Sequence, residues 1–183
     1  MTPRPPPAEL LNWALSVLAP DAAGPRPELS VVAGDASNRR YFRAHIGGSS
    51  YILVDAPPAT EKNQAFLAVR ELLAGAGVGV PALYAVNLER GYLALGDLGD
   101  RLLLASLQAG SATEPYRDAM QLLLQIAAID TSAVALPAYD EALLREELGR
   151  FPAWFVDALL GQPLAGDEER LLGATFDKLV ASA

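Results

Sequence analysis

The sequence predicts an α+β fold in which a small antiparallel sheet is followed by a helical segment. Two observations support this prediction. Between residues 28 and 95, short alternating or β-branched apolar stretches are separated by glycine-containing turns, which is the pattern of hairpin strands. After residue 100, apolar residues recur at helical spacing in four stretches. The chain has 183 residues, which suits one domain or slightly more.

The predicted order is one leading helix, then β-β-β-α-β-β, then the four helices. Strands are predicted at residues 28–33, 39–46, 51–54, 81–86 and 92–95. Helices are predicted at residues 8–18, 62–75, 101–109, 114–129, 139–155 and 166–179. The first three strands are joined by short turns and form an antiparallel meander. In the second helix, a stripe of four apolar residues is expected to pack on the sheet, and these are Phe66, Val69, Leu72 and Leu73.

The composition excludes several classes of function. The chain has no cysteine and one histidine, His45, so thiolate metal sites and most imidazole-dependent catalysis are excluded. We expect His45 to lie at the surface. The net charge of −8 argues against nucleic acid as a partner, because phosphate backbones require a basic surface. No apolar run approaches the ~20 residues of a membrane span. We therefore expect a cytoplasmic protein that binds neither nucleic acid nor membrane.

Small and polar residues in the first strand turn form one candidate site. Backbone amides in such a turn can lie close to a phosphate, and neighbouring arginines add positive charge. The alternative is an ordinary hairpin, since the same residue types favour tight turns. The candidate residues are Gly34, Asp35, Ala36, Ser37, Asn38, Arg39 and Arg40.

A second candidate site is the linker between the last strand and the helical segment, formed by Asp97, Leu98 and Gly99. The exposed backbone of a linker at the back of a cleft can read the edge of a planar base, and cofactor sites favour such junctions. The alternative is a plain linker whose Asp100 caps a helix that begins at Arg101.

A third candidate is a polar and aromatic wall near residues 139–154. Tyrosine and tryptophan can cover the apolar face of a sugar, while an acid and an arginine bind its hydroxyl or acid groups. The alternative is a solvated helix face with Glu141–Arg145 and Glu146–Arg150 ion pairs. The candidate residues are Tyr139, Asp140, Arg145 and Trp154.

The element order, together with three segments, resembles the protein-kinase-like fold of aminoglycoside phosphotransferases and small-molecule kinases. Those segments are residues 34–43, residues 54–58 and residues 95–100. With Tyr139-Asp140 ahead of residues 144–154, they are most similar to the bacterial anomeric kinases of N-acetylmuramate and N-acetylglucosamine, which serve cell-wall recycling. The resemblance implies a five-stranded antiparallel sheet with one helix as an N-terminal lobe, followed by the helical start of a C-terminal lobe.

On this resemblance, residues 1–27 are a tail and helix, 28–96 the nucleotide-binding lobe, 97–100 the hinge beside adenine, and 101–183 an incomplete helical lobe. ATP and Mg²⁺ are the implied cofactors and an amino sugar the substrate. The family places its catalytic loop and metal-binding aspartate after these helices. The resemblance therefore implies no catalytic residue and no metal ligand in this chain, and we expect it to be inactive alone.

Two features of the phosphate site remain open on this resemblance. The third strand carries no lysine, so Arg39, Arg40, Arg43 or the metal would have to neutralise the phosphates. Either Glu61 or Glu71 is the acid expected on the following helix.

Two other functions remain possible from the sequence. One is a non-catalytic nucleotide-binding or adaptor module. The other is a related kinase that acts on an aminoglycoside or a choline-like amine. In an incomplete kinase the apolar helix faces would lack their partners, and we then expect the isolated chain to self-associate.

Overall fold

A computed structural model describes residues 5–21, 24–34, 38–107, 113–132 and 134–183. The chain divides into two compact units, residues 1–134 and residues 135–183. The strands of the first unit are β1 (Ser30–Gly34), β2 (Arg40–Ile46), β3 (Ser49–Asp55), β4 (Leu83–Asn87) and β5 (Tyr92–Gly96). Its helices are α1 (Ala8–Leu18), α2 (Asn63–Gly75), α3 (Leu103–Ser106) and α4 (Thr113–Ala127). The second unit contains α5 (Glu141–Arg150), a π-helical segment (Phe151–Leu159) and α6 (Asp167–Ser182).

The five strands form one antiparallel sheet in the order β1-β2-β3-β5-β4, which confirms the predicted fold class. Gly47 and Gly48 alone join β2 to β3, with φ angles of +59° and +83°. Two consecutive positive φ angles are what a tight hairpin turn needs, and glycine adopts them without steric cost. This turn pairs Ile46 with Ser49 and, at the far end of the hairpin, Arg40 with Asp55.

Each face of the sheet is covered by one helix. On one face, Leu10, Leu11 and Ala14 of α1 pack with Phe42 and Leu53 of the central strands. On the other face, partly buried side chains of α2 pack against the second core cluster, which consists of Val54, Ala56, Leu93 and Leu95. Because both faces are covered, β3 and β5 have apolar runs rather than strict alternation. Burial of each large apolar side chain contributes about 1.5–3 kcal/mol.

The stripe predicted for α2 is partly wrong. Phe66 packs on the sheet as expected. The other α2 side chain that packs there is Leu67, which was not part of the predicted stripe, and Val69 is 36% exposed. The α2 helix is displaced by one residue from the predicted start and ends at Gly75 as predicted.

The long helix predicted over residues 139–155 is divided in the structure. It begins at Glu141 and changes to π-helical geometry at Phe151. Pro152 has no N–H to donate, so the regular hydrogen-bond ladder cannot continue through it. The wider turn persists to its end, where the Leu160 N–H donates to the Phe155 carbonyl at 3.1 Å.

The domain boundary predicted at residues 97–100 lies inside the first compact unit, and the two units part after Val134. The assignment of these segments to lobes and a hinge therefore stays a prediction. Among the residues that the structure describes, no helix is both long and apolar enough to cross a membrane.

Candidate functional site

The carboxylate of Glu61 holds the residues that follow the β1–β2 turn. It lies just before α2 and accepts the backbone N–H of Asn38 at 3.0 Å. Its other oxygen pairs with Arg39 Nε at 3.1 Å, and the Glu61 side chain is only 10% exposed. The Arg39 guanidinium also lies 5.0 Å from the ring centroid of Phe66 in α2. The end of the turn is thereby attached to the start of α2.

Of the two acids considered from the sequence, Glu61 is the one that contacts the turn. Glu71 pairs with the adjacent Arg70 at 3.0 Å, and its side chain is largely exposed. An exposed pair of this kind contributes little to stability. The Glu61 carboxylate has two charge-assisted bonds in a largely buried position, which is the stronger arrangement.

Arg40 bonds across the hairpin to Asp55, its direct partner on β3. Its Nε donates to Asp55 Oδ2 at 2.8 Å, and a second guanidinium nitrogen contacts the same oxygen. Another nitrogen donates to the Pro5 carbonyl at 2.8 Å. Asp55 is buried, so Arg40 supplies the charge that this carboxylate requires.

Arg43 binds two carboxylates of the linker after β5. Its Nε and one terminal nitrogen donate to Asp97 at 2.6 and 3.0 Å. The two terminal nitrogens also donate to Asp100 at 2.8 and 2.9 Å. Bidentate pairs of this geometry fix orientation as well as distance. The guanidinium therefore fastens the linker to β2.

Asp97 accepts two further hydrogen bonds. The hydroxyl of Ser50 on β3 donates at 2.5 Å, and the backbone N–H of Gly99 donates at 2.9 Å. The bonds from Arg43, then Ser50 and Gly99, hold the pKa of the Asp97 carboxyl well below its usual range. The same carboxylates, Asp97 first, raise the pKa of Arg43. Both groups therefore remain charged throughout the neutral range.

The alternative considered for the linker, in which Asp100 caps a helix from Arg101, is wrong in its placement of that cap. Helix α3 begins at Leu103, Leu102 occupies the N-cap position, and no side chain caps it. Asp100 pairs instead with Arg43, because the fixed linker brings its carboxylate to the guanidinium. The helix predicted over residues 101–109 is a single turn within the described part of the chain.

The remaining residues predicted around the turn and linker are placed as follows. Gly34 ends β1 and pairs with Arg40. Asp35, Ala36 and Ser37 lie outside the described residues, so a phosphate cradle there stays a prediction. Leu98 is 75% exposed, and Gly99 has a φ of +78°, a conformation that favours glycine. His45 is exposed, as expected from the sequence.

In the second unit, the structure shows the individual contacts of the predicted wall residues. The Asp140 side chain accepts the backbone N–H of Leu143 at 3.0 Å and caps α5. Arg145 pairs with Glu141 at 2.8 Å and with Asp177 of α6 at 2.9 Å. Tyr139 and Trp154 are strongly exposed. The ion pairs of the solvated-face alternative are present, including Arg150 with Glu146 at 3.5 Å.

The sequence did not single out Ser50 or Asn63. The two-glycine turn determines which β2 residue lies opposite Ser50. The bond from Ser50 to Asp97 depends instead on the pairing of β3 with β5, which the turn does not determine. Asn63 begins α2 and donates from Nδ2 to the Ala56 carbonyl at 2.8 Å. Within the described ranges, no three Asp, Glu, His or Cys side chains converge as a metal site would require.

Comparison with known proteins identifies the family of this chain. Residues 28–182 match the phosphotransferase enzyme family, APH. The chain belongs to this family. It is 44% identical over 159 residues to an N-acetylmuramate/N-acetylglucosamine kinase of Pseudomonas aeruginosa, which covers 87% of this chain and 47% of that protein.

A protein of the same name from Pseudomonas putida is 44% identical over 137 residues, covering 75% of this chain and 40% of that protein. The chain thus spans about half the length of the curated phosphotransferases that it matches. Among solved structures, a provisionally assigned aminoglycoside phosphotransferase from Ralstonia eutropha has a TM-score of 0.55. It is 19% identical, and the match covers 77% of this chain and 45% of that one. This likeness supports the fold.

Proposed function

We propose that this chain is the nucleotide-binding part of an ATP-dependent kinase that phosphorylates the anomeric hydroxyl of N-acetylmuramate or N-acetylglucosamine. The observation that carries the choice of substrate is the 44% identity over 87% of the chain to a Pseudomonas aeruginosa protein of that name. By the same resemblance, the whole protein acts in the cytoplasm and recycles cell-wall sugars.

In such a reaction the sugar hydroxyl oxygen bonds to the γ-phosphorus while the bond from that phosphorus to the β-phosphate oxygen breaks. ADP leaves, and the hydroxyl proton passes to a base. The protein contributes mainly positioning and stabilisation of phosphate charge. ATP and Mg²⁺ are the expected cofactors. The described acids offer no metal cluster, so we assign no step to a metal here and expect its ligands elsewhere in the protein.

Arg39 is our candidate for the positive charge that the absent third-strand lysine would supply. It directly follows Asn38 at the end of the turn, and Glu61 and Phe66 fix its guanidinium. Arg43 is a poorer candidate, because four hydrogen bonds hold it to the linker. Arg40 is held by the buried Asp55. The turn residues 34–38 would cover the phosphates with their backbone amides.

The linker at Asp97, Leu98 and Gly99 is our candidate for the adenine-binding hinge. Its path is fixed by the bonds of Asp97 to Arg43, Ser50 and the Gly99 N–H. The carboxylate of Asp97 is occupied by these bonds, so a base would be read by the linker backbone. The exposed side chain of Leu98 is available for apolar contact with the base plane.

We further propose that a longer protein supplies the catalytic base and covers apolar side chains exposed in each unit. Met120, Leu123 and Leu124 of α4 are exposed, as are Trp154 and Leu171 in the second unit. Monomeric proteins rarely leave large apolar patches in water. The share of the relatives that this chain spans, about half, supports the same conclusion. The wall at Tyr139, Asp140, Arg145 and Trp154 then remains the candidate sugar contact.

The test is ADP release by this chain and by a version extended to the length of the relatives. Each is offered N-acetylmuramate, N-acetylglucosamine and an aminoglycoside. We expect turnover of the N-acetylated sugars by the longer protein and none by the 183-residue chain. Turnover of the aminoglycoside alone would replace the sugar with a cationic acceptor. Binding of ATP without any turnover would favour a nucleotide-binding adaptor.

A variant pair tests the role of Arg39 in the longer protein. Arg39→Gln removes one charge-assisted contact to phosphate, so we expect kcat/KM for ATP to fall about 10- to 100-fold. Arg90→Gln is the matched control, because Arg90 lies in the β4–β5 turn and forms an exposed pair with Glu9 at 3.1 Å. Equal effects of the two substitutions would contradict the proposed role of Arg39.

A further inference from the structure

The Ser50 side chain lies where the β2–β3 hairpin meets the linker that follows β5. Tyr51 of β3 pairs with Gly96, the last residue of β5. Residues of an antiparallel pair run in opposite directions, so Asp97, the residue after Gly96, comes level with Ser50. The Ser50 hydroxyl donates to Asp97 Oδ2 at 2.5 Å, and Ser50 is half-buried. The hairpin therefore contacts the linker beyond the last backbone pair of the two strands.

Within the described part of the chain, four hydrogen bonds reach the Asp97 carboxylate, two on each oxygen. Oδ2 accepts the Ser50 hydroxyl and Arg43 Nε, the latter at 2.6 Å. Oδ1 accepts the Gly99 N–H at 2.9 Å and a terminal nitrogen of Arg43 at 3.0 Å. A carboxylate has about four acceptor positions, so these bonds leave none for a nucleotide. Asp97 can therefore influence a ligand only through the position of the linker.

The donors to Asp97 differ in what they connect. Arg43 divides its guanidinium between Asp97 and Asp100, so it does not by itself determine where Asp97 lies. The Ser50 hydroxyl bonds to Asp97 from a paired position of β3, directly after the two-glycine turn. A residue held by the strand ladder thus fixes one carboxylate oxygen, while the other oxygen holds the Gly99 N–H. The position of Ser50 is passed in this way to the backbone of the linker.

We propose that Ser50 is a positioning residue for the nucleotide, acting through Asp97 on the backbone of residues 97–99. This inference rests on the proposed function, because it takes the linker as the place where adenine binds. Without the hydroxyl, Asp97 Oδ2 is held by Arg43 alone, and the carboxylate can rotate together with the guanidinium. The Gly99 N–H then moves as well, so the linker is in its binding conformation for a smaller fraction of the time. Affinity for the nucleotide falls by that fraction.

The test compares Ser50→Ala with Ser49→Ala in the protein extended to the length of the relatives. Ser49 is the matched control, because it is the exposed first residue of β3. We expect Ser50→Ala to raise the Kd and the KM for ATP about three- to tenfold, part of the effect of a complete loss of a hydrogen bond to a charged group. We expect kcat to stay unchanged, because phosphoryl transfer takes place at the other end of the nucleotide. Ser50→Thr keeps the hydroxyl and should restore the wild-type values.

Equal KM values for Ser50→Ala and Ser49→Ala would overturn the positioning role, as would a loss confined to kcat. A double substitution tests the route through Asp97. In an Asp97→Ala background the hydroxyl has no carboxylate to hold, so Ser50→Ala should raise the Kd for ATP no further. A second increase as large as the first would contradict that route.

Calorimetric titration with ATP separates this inference from the proposed function, because it measures the Kd without turnover. If the wild type binds ATP but phosphorylates no sugar, the sugar-kinase proposal fails, and the Kd values of Ser50→Ala and Ser49→Ala still decide the role of Ser50. If the wild type phosphorylates a sugar and these two Kd values are equal, the role of Ser50 fails and the kinase stands. A wild type that binds no ATP would overturn both.

Discussion

Replacement of Gly91 by alanine should destabilise the first unit strongly. Gly91 lies in the β4–β5 turn with a φ of +72°, and its carbonyl accepts the Ala56 N–H at 2.8 Å. An added Cβ would overlap the Ala56 carbonyl oxygen and approach Pro58 Cδ to 2.9 Å. The turn and the end of β3 are bonded to each other here, so relief of the overlap requires the backbone to move.

The expected magnitude follows from three contributions. A left-handed backbone costs a non-glycine residue about 1–2 kcal/mol. The steric overlap costs about 1–3 kcal/mol, as in an overpacked core. The reduced entropy of the unfolded chain offsets about 0.4–1 kcal/mol of this. The net loss for Gly91→Ala is about 1–4.5 kcal/mol, measured as the free energy of unfolding by urea titration.

Gly47→Ala is the matched control. Gly47 has a similar φ of +59°, but nothing lies within 4 Å of the added Cβ. The Gly47→Ala substitution carries the backbone cost and the entropic offset without the overlap. Its free energy of unfolding should therefore fall by about 0–1.5 kcal/mol. If Gly91→Ala were no more destabilising than Gly47→Ala, the close approach of the β4–β5 turn to Ala56 would be refuted.

Three further predictions concern the linker and the second unit. Arg43→Gln should raise the KM for ATP of the longer protein more than it changes kcat, because the linker loses its guanidinium contacts; a pure loss of kcat would contradict this. Asp97 has a lowered folded-state pKa, so its stabilising effect is full above the ordinary value near 3.8 and is lost as the pH falls below it. The stability difference between wild type and Asp97→Asn, measured by urea titration at pH 6 and pH 2.5, should therefore shrink on acidification. Asp140→Ala should destabilise α5 by about 0.5–2 kcal/mol, whereas Asp140→Ser should retain the cap, as helical circular dichroism on heating can show.

Local patterns were sufficient to predict the elements of the sheet. Alternating and β-branched residues marked every strand, and the Gly47-Gly48 pair marked the hairpin between β2 and β3. The register of this hairpin was not predicted, because the predicted turn covered residues 47–50, whereas Gly47 and Gly48 alone form the turn and thereby pair Arg40 with Asp55.

The partners of Arg39 and Arg43 could not be predicted from local patterns either. Both bind acids that lie far along the chain, Glu61 before α2 and Asp97 after β5. These contacts depend on how α2 packs and on the pairing of β3 with β5, which local periodicity does not encode. The alternative of an Asp100 helix cap was wrong for the same reason, because the Asp100 carboxylate pairs with Arg43, which lies far along the chain.

The strand period explains how β2 can fix two distant parts of the candidate site. Successive side chains of a strand point to opposite faces. Arg40 therefore lies on the α1 face with Phe42, 5.7 Å from its ring centroid, and contacts Pro5. Arg43 lies on the opposite face with Tyr41 and contacts the linker through Asp97. Because the two guanidiniums act on opposite faces, Arg43 can be replaced without loss of the Arg40–Asp55 bond, so a defect in Arg43→Gln reports on the linker and not on the hairpin.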